Sequence, residues 1–239
     1  MKNEQEMKEK FLDMLLKKGA LRIAKSTGEL FKFKSGRLSP NFINMGALTD
    51  GESLALLKRA YAFRIKSLLE NGGLETFDFV FGPAYKGIPL ACLTCEGLYE
   101  LGFEVRYMYD RKEEKAYGDV SYDKVIVGAG YYKKGQRILV VDDVITTGAT
   151  KIDSLEKLKL LEDARIAGML VAVDRQELLG DAENVGKTSA SDEIRRLGIP
   201  FFSIVNMQDI FAHVEKSLPP DIRKCWVDYY ERYGAVKLV

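Results

Sequence analysis

A single histidine, three cysteines and no excess of either charge remove several function classes before any motif is read. Three cysteines in 239 residues do not make a disulfide framework. Cys92 and Cys95 form one C-x-x-C inside an apolar helical run, with no second pair and with His213 far along the chain. A zinc site needs four ligands, or three and water, so the pair reads as buried helix cysteines. His213 falls among apolar residues 210–214 and reads as a side chain at the edge of the core rather than a catalyst. Lys plus Arg number 36 against 35 for Asp plus Glu, a net charge of +1, which argues against a nucleic-acid partner. The longest apolar run, residues 167–173, contains a glycine and is the length of a strand, not of a membrane span. The first 19 residues mix acids and bases, lack the apolar core of a secretory signal and are too acidic for a transit peptide. The expectation is a cytoplasmic protein with no membrane partner. No G-x-G-x-x-G follows a strand. GDAENVGKT at 180–188 imitates a P-loop, but it is one residue too long and no strand directly precedes it, so it reads as a surface excursion.

What is present is an ordinary globular composition, 46% hydrophobic and 30% charged, in a chain long enough for one large domain. A first helix is expected to end at Gly19. An alternating stretch at 31–34, a turn at 35–37 and a break at Ser39-Pro40-Asn41 follow. Thr49 and Glu52 have the spacing of a capping box, and Leu54, Leu57, Tyr61, Ile65 and Leu68 trace one helical face ending near Asn71. From Phe77 onward, strands at 77–81, 103–109, 137–141, 165–173 and 200–205 alternate with helices. That rhythm predicts an α/β fold with a mostly parallel twisted sheet and flanking helices, whose ligands sit at the carboxyl ends of the strands. A small N-terminal hood of residues 1–76 is expected on a core of 77–239, one domain in all. The tail beyond Leu218 reads as a packing helix.

The stretch around which the rest is organised is RILVVDDVITTGAT, residues 137–150. The apolar strand Ile138, Leu139, Val140, Val141 is expected to stop at Asp142 and Asp143. Val144, Ile145 and the small turn Thr146, Thr147, Gly148, Ala149, Thr150 then lead into a helix. Backbone N–H groups and the helix dipole suit a phosphate there, and Gly148 permits close approach. The carboxylates suit sugar hydroxyls or a hydrated Mg²⁺. Capping alone would use one carboxylate and one hydroxyl, and leaves a second charge against a buried strand unexplained.

Other segments suit the same ligand. FGPAYKG at 81–87 is a loop bounded by glycines and carries Tyr85 and Lys86. RKEEKAYG at 111–118 has mixed charge in a polar setting and by itself reads as a solvated mobile loop; such a loop could also close over a phosphate-bearing ligand. KSGR at 34–37 with Phe42 and Ile43 could wall a flat ring, and Arg175, after Asp174 at a strand end, could grip a carboxylate. A surface ion pair is the competing account of Arg175.

Residues 137–150 resemble the phosphoribosyl diphosphate (PRPP) signature of type I phosphoribosyltransferases. KSGRLSPNFIN, FGPAYKGIPLA, RKEEKAYG, VVDDVITTGAT and AVDR occur in the order seen in orotate phosphoribosyltransferases. The resemblance implies the type I fold and Mg²⁺-dependent transfer of ribose 5-phosphate from PRPP to N1 of orotate. It implies that Lys34, Tyr85, Lys86, Arg111, Lys112, Lys115, Tyr117 and the run from Asp142 to Thr150 bind PRPP. Arg111, Lys115, Asp142 and Asp143 would carry the catalysis, with no direct protein ligand to the metal. Phe42, Ile43, Thr146 and Arg175 would hold orotate. It also implies a homodimer in which the loop from Arg111 to Tyr117 reaches the partner's site. Tyr117 stands where the family usually has histidine, and a phenol is neutral near pH 7. Residues 119–136 form a longer, less glycine-rich segment than is common. Two other readings compete: transfer to another base, and a PRPP-sensing regulator without turnover.

Overall fold

The sequence's helical and strand rhythms close on one another in chain order. The computed structural model describes residues 2–112, 125–145 and 149–238, the side chains of 2–3 and 149–153 excepted. Helix α1 (Lys2–Lys17) buries Phe11, Leu12, Met14 and Leu15, and Gly19 turns the chain at φ +67°. Strand β1 (Leu21–Ile23) pairs antiparallel with β4 (Asn41–Ile43), and between them β2 (Phe31–Lys32) pairs with β3 (Leu38–Ser39). Helix α2 (Gly51–Glu70) is capped by Asp50 rather than by the expected Thr49 and Glu52. The Asp50 carboxylate accepts from the Ser53 N–H at 3.2 Å and the Ser53 hydroxyl at 2.7 Å. Glu52 is drawn instead to Lys17 and Lys18, at 2.9 and 2.8 Å. The apolar face of α2 is as expected, with Leu57, Tyr61, Ile65 and Leu68 buried and Leu54 partly so.

The core is a six-stranded sheet. In chain order its strands are β5 (Phe79–Gly82), β6 (Arg106–Asp110), β7 (Ile126–Val127), β8 (Arg137–Ile145), β9 (Arg165–Asp174) and, after the β10 (Leu178–Gly180) and β11 (Val185–Ser189) hairpin, β12 (Phe201–Asn206). The spatial order is β12-β9-β8-β5-β6-β7, parallel throughout except for the edge strand β7. Alternation decides which face each residue serves. Leu139 and Val141 pack with Tyr61, Leu170 and Trp226 on one face, while Ile138 and Val140 pack with Phe79, Phe81 and Met169 on the other. Burial on both faces explains the unbroken apolar runs of β8 and β9.

Helices α3 (Gly87–Glu100), α4 (Ala149–Leu158), α5 (Ala190–Arg196) and α6 (Met207–Val214) follow β5, β8, β11 and β12. The last helix, α7 (Pro220–Tyr233), starts on proline and buries Trp226, whose ring meets Phe211 edge-on at 5.7 Å. It packs on the core, as the tail's aromatics predict. His213 lies at the exposed edge of α6 beside Asp13, at 2.9 Å. Among the described residues no helix is long and apolar enough to cross a membrane.

Candidate active site

Strand β8 does not stop at the acidic pair, as its four-residue apolar run predicts. It continues through Asp142 and Asp143 to Ile145, paired with β9 as far as Asp174. Pairing with β5 on the other side ends earlier, at Phe81 against Val140. The chain then leaves β5 through residues 83–86, and Lys86 Nζ meets the Asp143 carboxylate at 2.8 Å. Asp142 and Asp143 are 1% and 6% exposed, so both need partners. Asp142 Oδ1 accepts the Asp143 N–H at 2.8 Å, and the Tyr61 hydroxyl donates to the Asp142 carbonyl at 2.6 Å. Burial, with the Asp143 carboxylate nearby, pushes the Tyr61 phenol well above its usual range, which keeps it a donor. Lys86 is by contrast mostly exposed, so this cation is presented to solvent beside a carboxylate fixed in the sheet.

The loop at 83–86 is closed tightly by its two glycines. A Cβ on Gly82 would lie 2.0 Å from the Gly87 carbonyl oxygen, and one on Gly87 would lie 2.7 Å from Pro83. Only glycine lets the strand's end and the first turn of α3 touch. The Ala84–Tyr85 peptide bond is cis, and Tyr85 is 72% exposed. On α3 itself Cys92 is exposed and Cys95 half-buried, which corrects the expectation of two buried thiols. Burial, with Cys92 beside it, pushes the Cys95 thiol up to about 12.

A second cleft, of about 460 Å³, brings together Phe33, Lys34, Phe42, Ile43 and Arg175. Phe33 and Phe42 lie 6.2 Å apart, and the Arg175 guanidinium sits 4.3 Å over the Phe33 ring. Arg175 is 5% exposed, so its ion pair is not a surface one. Its Nε donates to Glu177 at 3.1 Å, and Nη2 donates to the same oxygen. Burial disfavours the Arg175 charge, but Glu177, Tyr230 and Tyr229 together outweigh it and raise the pKa above the ordinary arginine value. The other Glu177 oxygen lies 3.7 Å from Arg37, so one carboxylate stands between two buried guanidinium groups. Glu177 was not singled out by sequence reasoning; its only signal is its place two residues after Arg175.

The segment that imitates a P-loop is an exposed to half-exposed hairpin, and its first residue, Gly180, touches this cleft. Its β10–β11 hairpin contributes Leu178, Leu179 and Gly180. Arg37 ties the hairpin down, donating to the carbonyls of Leu178 at 2.9 Å and Asp181 at 3.1 Å while stacking 4.6 Å over Tyr233. The Tyr230 hydroxyl donates to the Arg175 carbonyl at 2.9 Å, so α7 supports the cleft from behind.

Other residues expected in the site lie apart or outside the description. Arg111 follows β6, its N–H donating to the Val125 carbonyl at 2.8 Å, and Lys112 beside it is exposed. Lys115, Tyr117, Thr146, Thr147 and Gly148 lie outside the described residues, and Ala149 and Thr150 are described only as the start of α4. Val144 is half-buried and Ile145 buried at the end of β8.

Asp174 offers a separable electrostatic test. Burial raises its pKa against a bond from the Gln176 N–H at 2.9 Å and the Ser191 hydroxyl, which favour the charge. A carboxyl raised on folding binds more protons in the native state, so it costs stability as pH rises from the unfolded to the folded pKa. Asp174→Asn is therefore expected to raise the thermal midpoint at neutral pH and to change it little in acid, below the carboxyl's unfolded pKa. Calorimetry at the two pH values checks this; equal shifts at both would remove the titration argument.

Residues 48–202 match the phosphoribosyl transferase domain family. The chain is 37% identical to the orotate phosphoribosyltransferase of Kluyveromyces lactis, covering 94% of each. It is also 37% identical to that of Bifidobacterium adolescentis, covering 95% of this chain and 97% of the relative. The fold is similar to the crystal structure of orotate phosphoribosyltransferase from Francisella tularensis, with a TM-score of 0.75 at 31% identity over 94% of this chain and 98% of that one.

Proposed function

The chain belongs to the phosphoribosyl transferase domain family, among its orotate phosphoribosyltransferases, and on that premise we propose how its residues divide the two substrates. The reaction is transfer of ribose 5-phosphate from PRPP to orotate, giving orotidine 5′-monophosphate and diphosphate, a step of pyrimidine biosynthesis. The observation that carries the division is the pairing of Lys86 with Asp143 at the end of β8, in a cleft other than the aromatic one that Arg175 lines.

Asp142 and Asp143 accept the ribose hydroxyls, and Lys86 turns from Asp143 towards the diphosphate. Residues 144–150, with Thr146 and Thr150 among them, cradle the 5-phosphate at the start of α4. Lys34 at the cleft rim and Tyr85 complete the PRPP side. Phe42, Ile43 and Thr146 hold the orotate ring, and Arg175 takes its carboxylate through a guanidinium nitrogen not already committed to Glu177. Orotate attacks through N1 as an anion, so no strong general base is required. Positive charge from Arg111, Lys112 and Lys115 offsets charge developing on diphosphate, and Tyr117 donates a hydrogen bond without adding charge.

The carboxylate oxygens of Asp142 and Asp143 are hard donors of the kind Mg²⁺ prefers, and they sit beside Lys86 at the end of β8. They fit a hydrated Mg²⁺ held through its waters and by PRPP. When bound, that ion supplies charge neutralisation at the diphosphate. The intact RKEEK segment favours turnover over a PRPP sensor, since a sensor need not stabilise a leaving group. A single cytoplasmic domain, with residues 1–76 as a hood, suits this role.

A homodimer with shared sites completes the reading. Exposed Tyr99 and Tyr107 and the exposed Cys92 lie on α3 and β6, and Tyr131 packs under Arg106 at 4.6 Å, an aromatic surface suited to a second copy. Mixing Lys115→Ala with Arg175→Ala protein is expected to restore about a quarter of unmutated activity, because hybrid dimers keep one intact site in two. No recovery after confirmed subunit exchange would remove loop sharing. The direct test of function is loss of orotate absorbance with PRPP and Mg²⁺; turnover of another base, with none of orotate, would overturn the acceptor.

A further inference from the structure

We propose that Asp110 is a positioning residue for the diphosphate side of the site, acting with Lys157. The proposal rests on the PRPP reading above and assigns a role to a buried carboxylate that reading leaves unused. Asp110 is the last residue of β6 and its side chain is fully buried. Oδ1 accepts the Ala84 N–H at 2.6 Å. Oδ2 accepts from Lys157 Nζ at 2.6 Å and, more loosely, from the Ser154 hydroxyl at 3.5 Å. Lys157 Nζ also donates to the Arg111 carbonyl at 2.8 Å.

These bonds join three segments: the loop after β5, the chain leaving its sheet neighbour β6, and helix α4. Ala84 lies in the loop between Gly82 and Gly87, two residues before Lys86. The Arg111 carbonyl fixes the main chain where it leaves β6, at a cation assigned to diphosphate. Ser154 and Lys157 lie on α4, the helix that opens with Ala149 and Thr150. One carboxylate therefore sets the relative placement of Lys86 and the Arg111 backbone, and ties both to the phosphate helix. A buried carboxylate with a lysine partner and a main-chain donor is held in one geometry, because each alternative leaves a charge unpaired.

The test compares Asp110→Asn, Lys157→Met and Lys157→Arg. Asparagine can still accept from Ala84 but turns an amide donor towards Lys157; methionine removes the cation and keeps the stem. The readouts are the PRPP dissociation constant by titration calorimetry without acceptor, both KM values and the thermal midpoint. Asp110→Asn and Lys157→Met are each expected to weaken PRPP by about tenfold or more while orotate KM stays within about twofold, since small misplacements of a charge clamp are costly. Lys157→Arg, able to reach both acceptors, is expected to regain part of the loss. PRPP binding unchanged in both variants, or a lowered thermal midpoint with unchanged binding by the folded fraction, would overturn the proposal. If Asp110→Asn does not fold, Lys157→Met decides, because the Lys157 side chain is partly exposed. Unmutated protein that binds PRPP but does not consume orotate would sink the acceptor reading and leave this test standing.

Discussion

Asp143→Asn is expected to lower turnover by about tenfold to a hundredfold while the protein stays folded. The substitution preserves volume in a residue 6% exposed, so packing is nearly unchanged. It removes a full negative charge from the end of β8, where Lys86 approaches at 2.8 Å. Hydrogen bonds to a charged group contribute about 1.5–3 kcal/mol, and each 1.4 kcal/mol is close to a factor of ten in rate. Lys86 loses its partner, but it is mostly exposed and water replaces the carboxylate at little cost. The effect should therefore fall on kcat and PRPP rather than on the thermal midpoint. Steady-state kinetics with each substrate varied, beside a melting curve, separate the two. Unchanged kinetics would remove the acidic pair from the reaction.

That prediction rests on a feature only half visible in the sequence. The apolar run Ile138 to Val141 announces a buried strand, because a strand covered on both faces has no polar alternation to keep. Its continuation through Asp142 to Ile145 was hidden, since two carboxylates contradict burial by composition. What permits them is one local bond, from the Asp143 N–H to Asp142, and one tertiary contact, a lysine brought across from the neighbouring loop. The same limit hid Glu177. An Arg175 near a strand end is readable as an anion grip, but the carboxylate that aims it is visible only when residues 175–177 bend under Phe33 and Arg37. The 180–188 hairpin shows the opposite case, where spacing was enough to set a phosphate loop aside. Its glycines and Lys187 have a phosphate loop's composition, whereas Asp181, accepting the N–H groups of Glu183 and Asn184, uses them for a turn. Local chemistry was legible wherever period or spacing sets it. Contacts between distant segments, such as Arg37 with Asp181, carry no such mark.

Those distant contacts make Arg175 the residue with the largest combined effect. Arg175→Ala removes the cation and leaves Glu177, whose side chain is 11% exposed, with Arg37 at 3.7 Å as its remaining cation among the described residues. Breaking a buried pair by deleting one partner costs about 3–5 kcal/mol, and the remaining arginine argues for the lower end. In a chain of this size about 3 kcal/mol corresponds to a fall of roughly 10 °C in thermal midpoint. Orotate KM should also rise, by about a hundredfold, as a charge-assisted contact to its carboxylate is lost. Stability and binding are thus confounded in the single variant. Arg175→Ala combined with Glu177→Ala separates them. Removing both charges relieves the unpaired carboxylate, so the thermal midpoint should recover most of its loss while orotate KM stays high. Arg175→Lys should lie between in stability and remain poor in orotate binding, because an ammonium cannot bond Glu177 and a ligand carboxylate with one planar fork. A double variant that regains orotate affinity together with stability would show that Arg175 only packs the cleft, and the acceptor carboxylate would then need another partner.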